Sequence, residues 1–130
     1  MASHHFIGVG PLSAELLGPA LDEEALSLRV AGLVADAGME VVSRDAARFD
    51  NGGLTLVWIL AESHLVLHLW RAEEYATVDL HVCDYRADNR ERATGLVERL
   101  ERLCFPDGTA DWRTLTVETP TSAVAAPTVP

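Results

Sequence analysis

Cysteine is scarce in this chain: Cys83 and Cys104 are the only two among 130 residues. Two cysteines without a signal peptide do not make a disulfide framework, and the length suffices for one domain with a hydrophobic core. Basic residues are also few. Ten Lys+Arg against twenty Asp+Glu leave a formal charge of −10, which argues against a nucleic-acid partner, because phosphates need a basic face. The acidic excess permits a cationic substrate, although a solvated surface looks the same. No apolar run approaches the length of a membrane helix. The start, Met1-Ala2-Ser3-His4-His5, has neither a basic n-region nor a long apolar stretch. The expectation is a cytoplasmic protein with no membrane partner, in a reducing setting.

Periodicity supplies the elements. Residues 4–9 read as a short strand broken by Gly10-Pro11. Asp22 caps a helix with Glu23 and Glu24 in its first turn, and Leu26, Val30, Leu33, Val34 and Ala37 form its apolar face up to Gly38. Residues 39–44 read as a strand, and Asp50-Asn51-Gly52-Gly53 as a turn. The apolar run 54–60 suits a buried strand. Leu65, Leu67 and Leu69 alternate with Val66, His68 and Trp70, and Val78, Leu80 and Val82 with Asp79, His81 and Cys83, giving two more strands. Asp88 caps a second helix along Ala93, Leu96, Val97, Leu100 and Leu103, ended by Phe105-Pro106-Asp107-Gly108, and residues 113–118 form a last strand. The order β-α-β-β-β-β-α-β has too few helices to cover a parallel sheet. It predicts an α+β two-layer sandwich, a mainly antiparallel sheet with two helices on one face. The uncovered face predicts a dimer of four layers, αββα. Residues 1–118 form the single expected domain, and the Pro-, Thr- and Ala-rich residues 119–130 an expected disordered tail.

The stretch Ala61-Glu62-Ser63-His64-Leu65-Val66-Leu67-His68-Leu69-Trp70, followed by Tyr75-Ala76-Thr77-Val78-Asp79-Leu80-His81-Val82-Cys83, carries the chemistry. Taken alone, Glu-Ser-His is an ordinary hairpin triplet. With His68, Trp70, Tyr75, Asp79 and Cys83 in register, the segment 44–84 resembles the small prokaryotic S-adenosylmethionine decarboxylases. That resemblance implies a pyruvoyl-dependent decarboxylase of polyamine biosynthesis, with no pyridoxal phosphate and no metal. Decarboxylation at an amino-bearing carbon needs an electron sink that no side chain provides. A pyruvoyl ketone, bonded as a Schiff base to the substrate amine, is one. It arises when the Ser63 hydroxyl attacks the Glu62 carbonyl, the amide becomes an ester, and loss of the Ser63 α-proton expels the Glu62 carboxylate. The dehydroalanine left behind hydrolyses to pyruvoyl and ammonia. The chain would be cut at Glu62-Ser63 into residues 1–62 and 63–130.

The resemblance further implies that His68 is the processing base, that Thr55 assists where the family has serine, and that Cys83 is the general acid that protonates the decarboxylated carbon. It also implies that Phe49 stacks on the adenine of S-adenosylmethionine. Ser63 and His68 lie five residues apart, about 16 Å along a straight strand. They cannot meet within one strand, which predicts a homodimer with shared sites, as in the family. Each residue also has a plain alternative: His68 as a strand histidine, Cys83 as a small buried hydrophobe, Phe49 as core.

The chain departs from the family pattern His-Thr-Trp-Pro-Glu, reading His68-Leu69-Trp70-Arg71-Ala72. The missing glutamate is the one that holds the ribose hydroxyls. Glu74 is the candidate substitute, about 6.6 Å further along an extended strand. Val82 and Asp84 replace the usual threonine and glycine around Cys83. Loss of the ribose anchor and the added acid Asp84 would fit a compact cation, so L-arginine and L-ornithine stand as alternative substrates behind S-adenosylmethionine. An unprocessed binding paralogue is the alternative of another class. A metal site from His64, His68, His81 and Cys83 is disfavoured, because His64 and His68 would be about 13 Å apart on a strand, against zinc–ligand distances of about 2.0–2.3 Å.

Overall fold

A computed structural model describes residues 1–18 and 21–119. The elements are β1 (Ala2–Pro11), α1 (Ala14–Leu17), α2 (Glu23–Asp36), β2 (Val41–Arg48), β3 (Gly53–Leu60), β4 (Ser63–Trp70), β5 (Tyr75–Cys83), α3 (Arg90–Cys104) and β6 (Asp111–Glu118). The six strands form one sheet in the order β2-β3-β4-β5-β1-β6, and every neighbouring pair is antiparallel. The N-terminal strand thus sits inside the sheet, between β5 and β6. No described helix is long and apolar enough to cross a membrane.

The strand alternation sorts the two faces. Leu54, Leu56, Trp58 and Leu60 of β3, Leu65, Leu67 and Leu69 of β4, and Val78, Leu80 and Val82 of β5 are buried under the helices. They meet Leu26, Val30 and Val34 of α2 and Ala93, Leu96, Leu100 and Leu103 of α3. The Trp58 indole N–H donates to the Ser27 carbonyl at 3.1 Å, so the largest core side chain also satisfies its one polar group. The other face carries Thr55, Val57, His68, Trp70, Asp79, His81 and Cys83, all partly accessible, and leaves Ile7, Val9, Ile59, Leu115 and Val117 exposed. No helix covers it.

Several boundaries differ from expectation. Gly10-Pro11 does not break β1; both residues stay paired, with Ala76 and Tyr75. The short helix α1 follows, unmarked by any apolar period in so few residues. The second strand begins two residues late and runs four further, to Arg48, which still pairs with Leu54 of β3, while Arg44 and Arg48 reach the α2 acids Glu24 and Glu23. Asp22 does cap α2, accepting the Ala25 N–H at 3.1 Å, and Gly38 follows that helix at φ +87°, where glycine escapes the Cβ clash. Asn89, rather than Asp88, occupies the N-cap of α3, while the Asp88 carboxylate takes the Arg90 N–H. Thr119, expected in the disordered tail, exchanges two 2.9 Å hydrogen bonds with Met1. The remainder of that tail, 120–130, lies outside the described residues.

Candidate active site

The hairpin joining β3 to β4 is tighter than expected. Leu60 pairs with Ser63, so Ala61 and Glu62 alone make the turn. Ser63 is the first residue of β4 and has φ +147°, a conformation normally left to glycine and worth about 1–3 kcal/mol of strain. Glu74 is the other described non-glycine residue with positive φ. The strain therefore sits on the serine side of the Glu62–Ser63 bond.

The carbonyl of that bond is held. The Cys83 backbone N–H donates to the Glu62 carbonyl oxygen at 3.0 Å. This is the distance and donor type of an oxyanion hole, poised to stabilise charge on that oxygen during attack. The contact exists because Ser63 pairs with Val82, which brings the last residue of β5 beside the turn. Ser63 Oγ lies 3.3 Å from His64 Nδ1.

Cys83 sits on the open face, half-buried, with Sγ 3.7 Å from His81 Nε2. Burial, followed by the charges of Glu62 and Asp84, pushes the thiol above its ordinary value. Burial, followed by His5 and His64, pushes His81 below its own. A thiolate–imidazolium pair would require both shifts reversed, so the two groups are neutral at pH 7. Cys83 is thus a protonated thiol, suited to donating a proton rather than attacking.

Three histidines share one row across the open face: His64 opposes His81, and His81 opposes His5. The His5 and His81 rings stack at 3.9 Å, and His64 meets His81 edge-on at 5.1 Å. Sequence spacing does not reveal this row, because it depends on β1 lying beside β5. His68 is not part of it. Among the described residues, the grouping with ligand atoms within 4.8 Å of one another is His4, Asp84 and Asp88. Its members are engaged internally, His4 with Asp84 at 3.0 Å and Asp88 with the Arg90 N–H.

The other end of the open face holds Thr55 and His68. They are cross-strand partners, and Thr55 Oγ1 lies 2.9 Å from His68 Nδ1. The His68, Trp70 and Tyr75 rings stack in succession at 6.2 and 5.9 Å. Phe49 is 53% exposed, so it is not core. It sits in the turn before β3, where its ring and that of Trp70 both approach Gly53. One protomer therefore brings Ser63, Glu62 and Cys83 together, and separately Thr55, His68 and Phe49. It does not bring the two groups to each other.

The two acids invoked for substrate binding lie elsewhere than expected. β4 ends at Trp70, so Glu74 is not a continuation of that strand but the last residue of a four-residue turn, exposed, at φ +61°. Arg71, in the same turn, donates to the Gly18 carbonyl at 2.7 Å. Asp84 accepts from His4 at 3.0 Å and from the Asn89 N–H at 2.9 Å. Burial pushes its carboxyl upward, but the Asn89 and His4 hydrogen bonds, the His4 charge and the N-terminal charge outweigh that and hold it below its ordinary value.

Comparisons with known proteins bear on the family and the fold. The family model for S-adenosylmethionine decarboxylase matches residues 14–103. An S-adenosylmethionine decarboxylase proenzyme of Pyrobaculum arsenaticum is 38% identical over 88 residues, 67% of this chain and 68% of that protein. An arginine decarboxylase proenzyme of Ignicoccus hospitalis is 37% identical over 82 residues, 62% of this chain but only 57% of that protein's length. The crystal structure of the adenosylmethionine decarboxylase from Aquifex aeolicus VF5 shares the fold, with TM-score 0.68 at 22% identity over 88% of each chain. This chain belongs to the S-adenosylmethionine decarboxylase family.

Proposed function

We propose that this protein is a proenzyme that cleaves itself between Glu62 and Ser63 and then acts as a pyruvoyl-dependent decarboxylase. The observation that carries the proposal is the junction itself: a serine held at φ +147°, preceded by a carbonyl already hydrogen-bonded to the Cys83 N–H at 3.0 Å. These residues fit the group, since strain favours leaving the amide and the N–H stabilises the developing oxyanion. Once formed, the pyruvoyl group supplies the electron sink for loss of carbon dioxide. The 130 residues contain no lysine, so the chain has no side chain with which to anchor pyridoxal phosphate in the usual way. The neutral Cys83 thiol is the proton donor to the substrate carbon, and a reducing, cytoplasmic setting keeps it a thiol.

S-adenosylmethionine is the foremost substrate. Its support is Phe49, an exposed aromatic ring beside Trp70 at the His68 end of the open face, placed to stack on a nucleobase. L-arginine or L-ornithine is the second reading, favoured by Ala72 in place of the ribose-binding glutamate. The carboxylate of Asp84, already shared between His4 and Asn89, adds little to it.

The two halves of the site meet when two protomers pack open face to open face with their strands reversed. Ser63 and Cys83 of one protomer then approach Thr55 and His68 of its partner. His68, oriented by the Thr55 hydroxyl, is the base that removes the Ser63 α-proton, and the exposed Ile7, Ile59 and Leu115 are covered in the same step.

Intact mass of the purified wild-type protein tests the proposal. Two fragments split at Glu62-Ser63 are expected, with Ser63→Ala remaining one chain. A folded wild-type protein that stays whole on prolonged incubation sinks the self-cleavage assignment. Product analysis with S-adenosylmethionine, L-arginine and L-ornithine identifies the substrate.

A further inference from the structure

We propose that Asn89 is a positioning residue for self-cleavage, clamping the Glu62 side chain so that the scissile carbonyl stays on its N–H donor. This rests on the self-cleavage proposed above.

Asn89 is 5% exposed and stands at the N-cap of α3, where an asparagine side chain ordinarily accepts a helix N–H. It makes no such cap bond. Its amide instead turns toward the ends of β3 and β5. Nδ2 donates to the Cys83 carbonyl at 3.0 Å and, through a short contact, to the Glu62 carboxylate. Oδ1 accepts from Arg92 at 2.8 Å. Arg92 is donor-only, so it fixes which way the amide faces, leaving both N–H groups for the two acceptors. The same residue's backbone N–H holds Asp84, the neighbour of Cys83.

These bonds close a ring around the scissile peptide. The Cys83 N–H holds the Glu62 carbonyl, the Cys83 carbonyl holds Asn89, and Asn89 holds the Glu62 carboxylate. The Glu62 main chain and side chain are thus tied to the same strand end from two directions. The two-residue turn cannot swing its carbonyl away while both ties stand. The nearby N-terminus of α3 further favours the carboxylate. The expected consequence falls on the first step, formation of the Glu62 ester on Ser63 Oγ, in which the Ser63 O–C bond forms as the Glu62–Ser63 C–N bond breaks and the hydroxyl proton passes to the departing nitrogen. Elimination of the ester, which needs His68, is not addressed by the clamp.

Cleavage of freshly synthesised precursor is followed by intact mass for wild type, Asn89→Ala, Glu62→Ala, Glu62→Gln and the double variant Asn89→Ala/Glu62→Ala, with melting temperatures measured alongside. Asn89→Ala and Glu62→Ala are expected to slow cleavage at least about tenfold, equivalent to about 1.4 kcal/mol on the barrier. The double variant should be no slower than either single one, because one contact is lost in each case. Glu62→Gln keeps an acceptor oxygen and should cleave within about threefold of wild type. Hydroxylamine attacks esters far faster than amides, so it should speed cleavage of His68→Ala, stalled after ester formation, but not of Glu62→Ala.

Wild-type cleavage rates in both Glu62→Ala and Asn89→Ala overturn the clamp, as does rescue of Glu62→Ala by hydroxylamine. Should Asn89→Ala fail to fold, the half-exposed Glu62 pair decides: equal rates for Glu62→Ala and Glu62→Gln overturn the proposal. A wild-type precursor that never cleaves instead overturns the self-cleavage reading on which the clamp rests.

Discussion

At the scale of single residues, the two cysteines separate cleanly. Cys104 is fully buried at the end of α3, where burial pushes its thiol up to about 12; it packs and never titrates near neutrality. Cys83 faces the open side with its thiol raised more modestly. Cys83→Ala is expected to self-cleave normally but to lose sustained turnover, with faster substrate-linked inactivation, whereas Cys104→Ala keeps turnover near wild type. Fragment mass and progress curves check both, and the reverse pattern in folded, cleaved proteins would contradict the assignment. With Cys83 as the proposed proton donor, its acid form is the working form, so activity is expected to be retained below its pKa and lost as pH rises through it. The alkaline limb of kcat should therefore lie above the ordinary thiol range near about 8.5. Strand alternation alone put Cys83 with His81 and Asp79. Glu74 and Asp84 were not legible in the same way. The first depends on where β4 stops, and the second on partners from β1 and α3 that are distant in sequence.

At the scale of elements, β1 shows why a strand can sit inside a sheet and still be hard to delimit. Gly8 faces the helices opposite Trp112, whose ring lies where a Cβ would come within 2.7 Å. Trp112 in turn meets Phe105 edge-on at 6.2 Å and donates to Glu101 at 3.0 Å. The glycine is a seat for the indole that docks β6 onto β1 and the end of α3. Gly8→Ala is expected to lower stability by about 1–3 kcal/mol through overpacking, read as a reduced urea midpoint; an unchanged midpoint would show that the ring moves freely. Sequence signals placed the cores of α2, β3, β4, β5 and α3, since five or more alternating or helical positions agree in four of them and β3 is a nearly continuous apolar run. The ends were less legible. Asn89 rather than Asp88 stands at the α3 N-cap, with its side chain given to Glu62 and Cys83, contacts that no local propensity encodes.

At the scale of the whole molecule, the open sheet face is divided into two ends. Cys83, beside the Glu62-Ser63 turn, lies at one and Thr55, His68 and Phe49 at the other, and Ser63 is about 16 Å from His68 along β4. The proposed dimer makes a direct prediction. Neither Ser63→Ala nor His68→Ala cleaves by itself, yet mixed subunits recover partial cleavage of the His68→Ala chain. A hybrid pair has one site with both groups intact and one with neither. Demonstrated hybrid formation without any cleavage would remove the shared site.

The sequence by itself determined the α+β class, the face on which most strand residues lie, and the Glu-Ser-His segment with the family it belongs to. Those properties follow from residue type and from periods of two and 3.6, which are local. Tertiary structure alone decided that β1 enters the sheet between β5 and β6, building the His64-His81-His5 row. It alone placed the Cys83 N–H on the Glu62 carbonyl, turned Asn89 toward Glu62, and set Ser63 at a strained φ. Each of these depends on the register between strands or on a helix end meeting a hairpin. Such contacts join residues remote in the chain, and nothing local to either partner specifies them.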